Sequence, residues 1–130
     1  MILGQSGEDY LETVLELEQI HGVVRSIDIA KKLNVSRPSV NKAINNLKDA
    51  GMVTQQSYGD IRLTDLGRKT AKDIIYRHTL IKKFLTHVLG LSPQIAESDA
   101  CKIEHILSPE TIEKLEEFVI LYKGGSKSDV

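Results

Sequence analysis

Two short runs of helical spacing, parted by a tight turn and followed at once by strand spacing, narrow most sharply what this chain can become. Ser26 predicts an N-cap for a short helix over Ile27-Asp28-Ile29-Ala30-Lys31-Lys32-Leu33. Asn34-Val35-Ser36 then makes a turn. A further helix opens with Ser36 as its cap and Pro38 in its first turn, where a missing N–H is no loss. It continues through Val40, Ala43, Ile44 and Leu47 to Ala50-Gly51, whose glycine suits a helix C-terminus. From Met52 the period changes. Val53-Thr54-Gln55-Gln56-Ser57-Tyr58 and Ile61-Arg62-Leu63-Thr64 read as two strands around Gly59-Asp60. Ahead of all this, Tyr10, Leu11, Val14, Leu15 and Leu17 return at threes and fours, predicting a helix from about Gly7 to Ile20 that His21-Gly22 closes.

Helix, short helix, turn, helix and hairpin, in that order, make a winged helix-turn-helix, and the charge agrees with that use. The chain carries 17 Lys+Arg and 18 Asp+Glu, a net −1, yet Arg25 to Lys72 holds ten basic and four acidic residues, a local +6. That segment is built to meet a polyanion. On the second helix of the motif, Pro38, Ser39, Asn41, Lys42 and Asn45 are left on the outer face. These are small, amide-bearing or cationic groups able to lie against base edges. Ser26, Lys31, Arg37, Lys48 and Arg62 would contact phosphates and set register, with Tyr58-Gly59-Asp60 as the wing tip.

Beyond Thr64 the pattern is helical to the end. A long helix from Asp65 to about Leu89 stops at Gly90, a second starts at Pro93, and a third starts at Ser108-Pro109-Glu110. The expected fold class is mostly α with a small β-hairpin. A DNA-binding domain over 1–72 precedes a helical domain over 73–121, and a polar tail over 122–130 is expected to be disordered. Phe84, Leu85, Val88, Ile106, Leu107, Leu115, Phe118 and Val119 are more apolar material than a lobe of roughly 60 residues hides alone, which predicts a homodimer.

The second domain also carries chemistry. Cys101, Glu104 and His105 stand at i, i+3 and i+4 on the helix that starts at Pro93, so all three are expected to point from one helical face, with Ile103, Ile106 and Leu107 turned to the core. A thiolate, a carboxylate and an imidazole together suit a divalent transition metal. His78 on the long helix, with Asp9 and Glu12 at i and i+3 on the first, would bring the donors to six if these helices meet. Spacing alone leaves plainer readings open. A lone cysteine is often a small buried apolar group, and acids near a helix start suit its dipole.

Met52 to Gly67 with its Leu63-Thr64 and Gly67, the Arg77-His78 pair, and above all Asp99-Ala100-Cys101-Lys102-Ile103-Glu104-His105-Ile106-Leu107-Ser108 resemble the diphtheria-toxin-repressor family. These are metal-dependent transcriptional regulators, iron-dependent and manganese-transport regulators among them, and the similarity runs from about Ser6 to Val119. The resemblance implies a homodimeric repressor that grips double-stranded operator DNA when loaded with Fe(II) or Mn(II), for which Zn(II), Co(II) or Ni(II) can stand in. Cys101, Glu104 and His105 match the iron-type principal site. Asp9, Glu12, His78 and Glu104 fit the manganese-type site, which has glutamate where this chain has Cys101. The iron-type ancillary site has a glutamate one turn after its first histidine and a second histidine further on. Those places hold Lys82 and Glu97 here, leaving Glu97 as its remaining candidate donor. With Val130 as the last residue, an SH3-like third domain like that of the longer members is not expected, which brings the chain closer to the short, two-domain manganese-type proteins.

Other classes find little support. There is no phosphate-binding glycine loop, no H-E-x-x-H and no nucleophile elbow, so an enzyme is not expected. A winged-helix regulator sensing an organic ligand, or the oxidation state of Cys101, is the nearer rival. No run is long and apolar enough to span a membrane, and a single cysteine points to a reducing cytoplasm.

Overall fold

The apolar spacing of the first sixty residues becomes three helices and a hairpin. α1 (Gly4–His21) buries Tyr10, Leu11, Val14, Leu15 and Leu17, while α2 (Ser26–Leu33) buries Ile29 and α3 (Arg37–Asp49) buries Val40, Ile44 and Leu47. The three helices pack on one another, and α3 and α1 carry the hairpin of β1 (Val53–Gln55) and β2 (Ile61–Leu63). The structure is a computed structural model and describes residues 4–126. It divides into two units, one reaching to Asp73 and one beginning at Ile74. The division falls within α4 (Asp65–Lys83).

Local chemistry sets the boundaries of the first unit. Asn34 ends α2 in the left-handed conformation (φ 57°), and its N–H and that of Val35 both donate to the Ala30 carbonyl. Asparagine tolerates this conformation better than any branched residue would. Ser36 caps α3 as expected, its Oγ accepting from the Ser39 N–H at 3.2 Å. Ser26, by contrast, is the first helical residue of α2. The cap is the extended Arg25, which makes no side-chain cap bond. The strands pair antiparallel with Val53 opposite Leu63, and Ile61 donates in addition to the Val24 carbonyl at 2.9 Å.

The corner from hairpin to α4 explains the Leu63-Thr64 and Gly67 pattern. Thr64 Oγ1 donates to the carbonyl of Gly51 at 2.6 Å and accepts from the Gly67 N–H at 3.0 Å. Gly67 then lies so close to β1's approach that a Cβ there would stand 1.9 Å from the Met52 carbonyl oxygen. Arg68, next along, donates to both carboxylate oxygens of Glu18 on α1, at 2.6 and 3.0 Å.

In the second unit, α4 gives way to a π-helical turn at Phe84–Val88, in which the Leu89 N–H donates to the Phe84 carbonyl at 3.2 Å. Gly90 (φ 74°) breaks the helix as expected. α5 (Pro93–Ile103) and α6 (Pro109–Ser126) follow, capped by Ser92 and Ser108. Ile81, Leu85, Ala96 and Ala100 form the core, with Phe84, Leu91, Ile103, Leu107, Ile112 and Leu115 packed on it. Much of the apolar material assigned by sequence to a dimer surface is therefore spent inside the unit. Phe118 and Ile106 do remain exposed, and Ile106 is no core residue. The tail expected over 122–130 falls in part on α6, which continues to Ser126; residues 127–130 lie outside the described residues.

Candidate metal centre and nucleic-acid interface

α5 ends at Ile103, which changes how its donors are presented. Glu104 is the C-cap and still has helical dihedrals, but His105 and Ile106 belong to a turn closed by the Ile106 N–H donating to the Ile103 carbonyl. Pro109 starts α6 only a few residues later. A proline disfavours helical geometry in the residue before it, so α5 has no room to continue. The single helical face expected to hold Cys101, Glu104 and His105 is thus cut short. Cys101 sits half-buried on the last turn of α5, and the other two stand on the turn beyond it.

Glu104 is the pivot. Its side chain is fully buried (0% exposed), with Oε1 3.3 Å from Nδ1 of His78 and Oε2 3.3 Å from Nε2 of His105. These distances allow strong attraction, yet neither carboxylate oxygen has an aligned hydrogen-bond donor, nor does Nδ1 of His78 have an aligned partner. Burying a carboxylate in this way is costly unless something compensates it. A carboxylate with an imidazole against each oxygen is a donor set that fits a divalent first-row transition ion. Arg77, beside His78 on α4, donates from Nε to the Glu104 backbone carbonyl at 3.3 Å and so holds the turn to the helix.

The other nitrogen of His78 is engaged on α5. Nε2 lies 3.0 Å from Glu97 Oε2, and the other oxygen of Glu97 lies 3.1 Å from Lys82 Nζ. Glu104, and then Glu97, push the His78 imidazole up to about 9 against the opposing effect of burial. His78 in turn holds the Glu97 carboxyl below its usual range, aided by Lys82. Asp9 and Glu12 are half-buried on α1 of the first unit.

The expected DNA face is open. Arg37, Pro38, Ser39, Asn41, Lys42 and Asn45 are exposed on α3, opposite its buried stripe, and Arg62 is exposed on β2. Ser26 is half-buried at the start of α2. Tyr58 is exposed at the hairpin turn, but Asp60 is not part of a projecting tip. It is buried, with Arg25 Nε 3.4 Å from its Oδ1. The sequence reading missed Arg77 and Lys82 as structural partners of the cluster. A cation four residues from His78 on a helix was the available signal for Lys82.

Comparison with known proteins places this architecture. Residues 2–61 match the iron dependent repressor N-terminal DNA binding domain, and residues 64–120 match the iron dependent repressor metal binding and dimerisation domain. The chain belongs to the iron-dependent repressor family. It is a metal-dependent transcriptional regulator rather than an enzyme, with a winged helix-turn-helix followed by the family's helical domain. An uncharacterized HTH-type transcriptional regulator of Methanocaldococcus jannaschii is 37% identical over 122 residues, which cover 93% of this chain and 98% of that one. The transcriptional regulator MntR of Escherichia coli O6:H1 is 36% identical over 92% of this chain and 76% of its own length. Among solved structures, the manganese regulator SloR superposes with a TM-score of 0.78 at 28% identity over 92% of this chain. This chain spans about half of that structure, 54% of its length. Among the described residues, no helix is long and apolar enough to cross a membrane.

Proposed function

We propose that this regulator is a cytoplasmic homodimeric repressor that binds operator DNA when it holds Fe(II) or Mn(II), and so controls genes of metal homeostasis. The observation that carries the reading is the buried Glu104 carboxylate with His78 and His105 against its two oxygens. Glu104, His78, His105 and Cys101 are the donors assigned from the second unit, and Asp9 and Glu12 the donors assigned from α1. Carboxylates favour Mn(II) and the Cys101 thiolate admits softer ions, so Fe(II) and Mn(II) are both in range, with Zn(II), Co(II) and Ni(II) as surrogates. The bound ion supplies positive charge that offsets clustered carboxylates. Donors drawn from both units would then favour one arrangement of the two α3 helices in a dimer, the one able to reach half-sites about 34 Å apart. For this to switch DNA binding, the DNA-competent state must bind the metal more tightly than the other state does.

On α3, Pro38, Ser39, Asn41, Lys42 and Asn45 are assigned to base edges, with Ser26, Arg37, Tyr58 and Arg62 placed along the phosphate backbone. The exposure of all of these but the half-buried Ser26, and the local excess of positive charge, support this assignment. The test is an anaerobic titration of a duplex selected by the Mn(II)-loaded protein from a random pool, with Mn(II), with Fe(II) and with chelator. Tight binding with metal and weak, salt-sensitive binding without it is the expected result. Equal affinities would overturn the switch.

A further inference from the structure

His78 has two ring nitrogens and two acidic neighbours, and they are not equivalent. Nδ1 faces the fully buried Glu104 without hydrogen-bond alignment. Nε2 faces Glu97, which is 53% exposed and also held by Lys82 one turn further along α4. We propose that Glu97 is a positioning residue and not a metal ligand. It accepts the Nε2–H of His78, fixes the tautomer and ring orientation, and leaves Nδ1 as the nitrogen that meets the ion. Lys82 is the anchor that keeps Glu97 in place. This inference rests on the assignment of His78 and Glu104 to the metal centre and identifies what orients their imidazole.

Three groups on two helices, His78 and Lys82 on α4 and Glu97 on α5, divide the labour. A neutral imidazole donates from one nitrogen and accepts or ligates through the other, and which does which is decided by the hydrogen bond it makes. A carboxylate behind a ligating histidine commonly makes that choice and raises the basicity of the ligating nitrogen. Here the carboxylate would be a poor ligand itself, because a lysine ammonium already sits against its second oxygen at 3.1 Å. Any cation approaching Glu97 must compete with that resident positive charge. At the Nδ1 side the oxygens of Glu104 have no comparable aligned donor. The electrostatics therefore steer a divalent ion to the buried side of the ring and keep it off the exposed side.

The experiment uses the full chain loaded with Zn(II), a diamagnetic probe, with 15N-labelled histidine read by NMR and affinity read by competition with a chromophoric chelator. In the wild type, His78 should coordinate through Nδ1 with its proton on Nε2. Glu97→Ala should weaken Zn(II) binding by about 10- to 100-fold without changing the number of ions bound, and the fixed Nε2–H signature should be lost. Glu97→Gln, which keeps an acceptor oxygen, should retain Nδ1 coordination and recover most of the affinity. His78→Ala is the reference: if it leaves Zn(II) affinity and stoichiometry unchanged, the assigned metal centre itself fails. If His78→Ala disrupts binding but Glu97→Ala matches the wild type, only the positioning role fails. Coordination through Nε2, or loss of one ion from the stoichiometry of Glu97→Gln, would overturn the inference by making Glu97 a ligand.

Discussion

Nδ1 of His78 stands 3.3 Å from Oε1 of a Glu104 side chain that water does not reach. Such an arrangement is better suited to an ion than to the protein alone, and replacing the acid tests it. Glu104→Gln keeps the volume and removes the charge. It should fold, with wild-type circular dichroism, but lose the rise in melting temperature that Mn(II) gives the wild type. At 100 times the dissociation constant that rise corresponds to about 2.7 kcal/mol. Calorimetry of both proteins with and without Mn(II) checks it, and an equal rise in the variant would remove Glu104 from the site.

Cys101 offers a chemical readout of the same centre. As a metal-bound thiolate on the last turn of α5 it should be shielded, so Fe(II) or Zn(II) added anaerobically should slow its alkylation by iodoacetamide. An unchanged rate with metal bound elsewhere would favour a redox-sensing cysteine.

Gly67 should be intolerant of any side chain. A Cβ at that position would meet the Met52 carbonyl oxygen at 1.9 Å, and backbone must move to relieve it. Gly67→Ala should cost about 3 kcal/mol, at the upper end of overpacking effects. Urea denaturation would show this as a lowered midpoint at unchanged slope.

The Glu18–Arg68 pair makes part of the stability depend on pH. Arg68, through its hydrogen bonds, holds the Glu18 carboxyl below the usual 4.5. Its contribution is therefore present above that unfolded-state value and is lost as pH falls through the lower folded-state value. Both side chains are partly solvated, so the amount is about 0.5–1 kcal/mol. Glu18→Gln should be less stable than the wild type by that amount at pH 7, with the gap closing as the pH falls below 4.5 and through the lower folded-state value.

On the DNA face, two substitutions should separate reading from gripping. Asn41→Ala should cost about 1–3 kcal/mol and relax preference at one base pair, whereas Arg37→Ala should weaken all sequences alike and lower the salt slope by about 1. Anisotropy titrations over a salt series distinguish them. Both residues are exposed, so stability should be unaffected.

Much of the first unit was legible in the sequence because its boundaries rest on local chemistry. Ser36 caps α3, Gly51 suits its end, and Val53 to Leu63 alternate as strands do. Ser26 misled because capping requires an extended backbone, and Arg25 takes that position first. Turn composition suggests Asp60 for the wing tip but does not show that its carbonyl accepts from the Gln56 N–H at 2.8 Å or that its side chain is buried beside Arg25. In the second unit, helical spacing carried the reading past Ile103, while Pro109 and the Ser108 cap enforce a break that periodicity cannot register. The donor types were visible. The pairing of Lys82 with Glu97 depends on how α5 folds back against α4, which the spacing within either helix does not report.

The π-helical turn at Phe84–Val88 holds one residue more than an ordinary turn would. Five residues wound this way turn and advance the chain about as much as four in a regular α-helix, so losing one of them would close the ladder and leave Gly90 and Ser92 near their present azimuth. Losing one residue from the regular stretch of α4 instead would swing everything beyond it by about 100° around the helix axis. Chains descended from a common ancestor with this one should therefore tolerate a one-residue loss between Phe84 and Val88 more readily than one between Asp65 and Lys83.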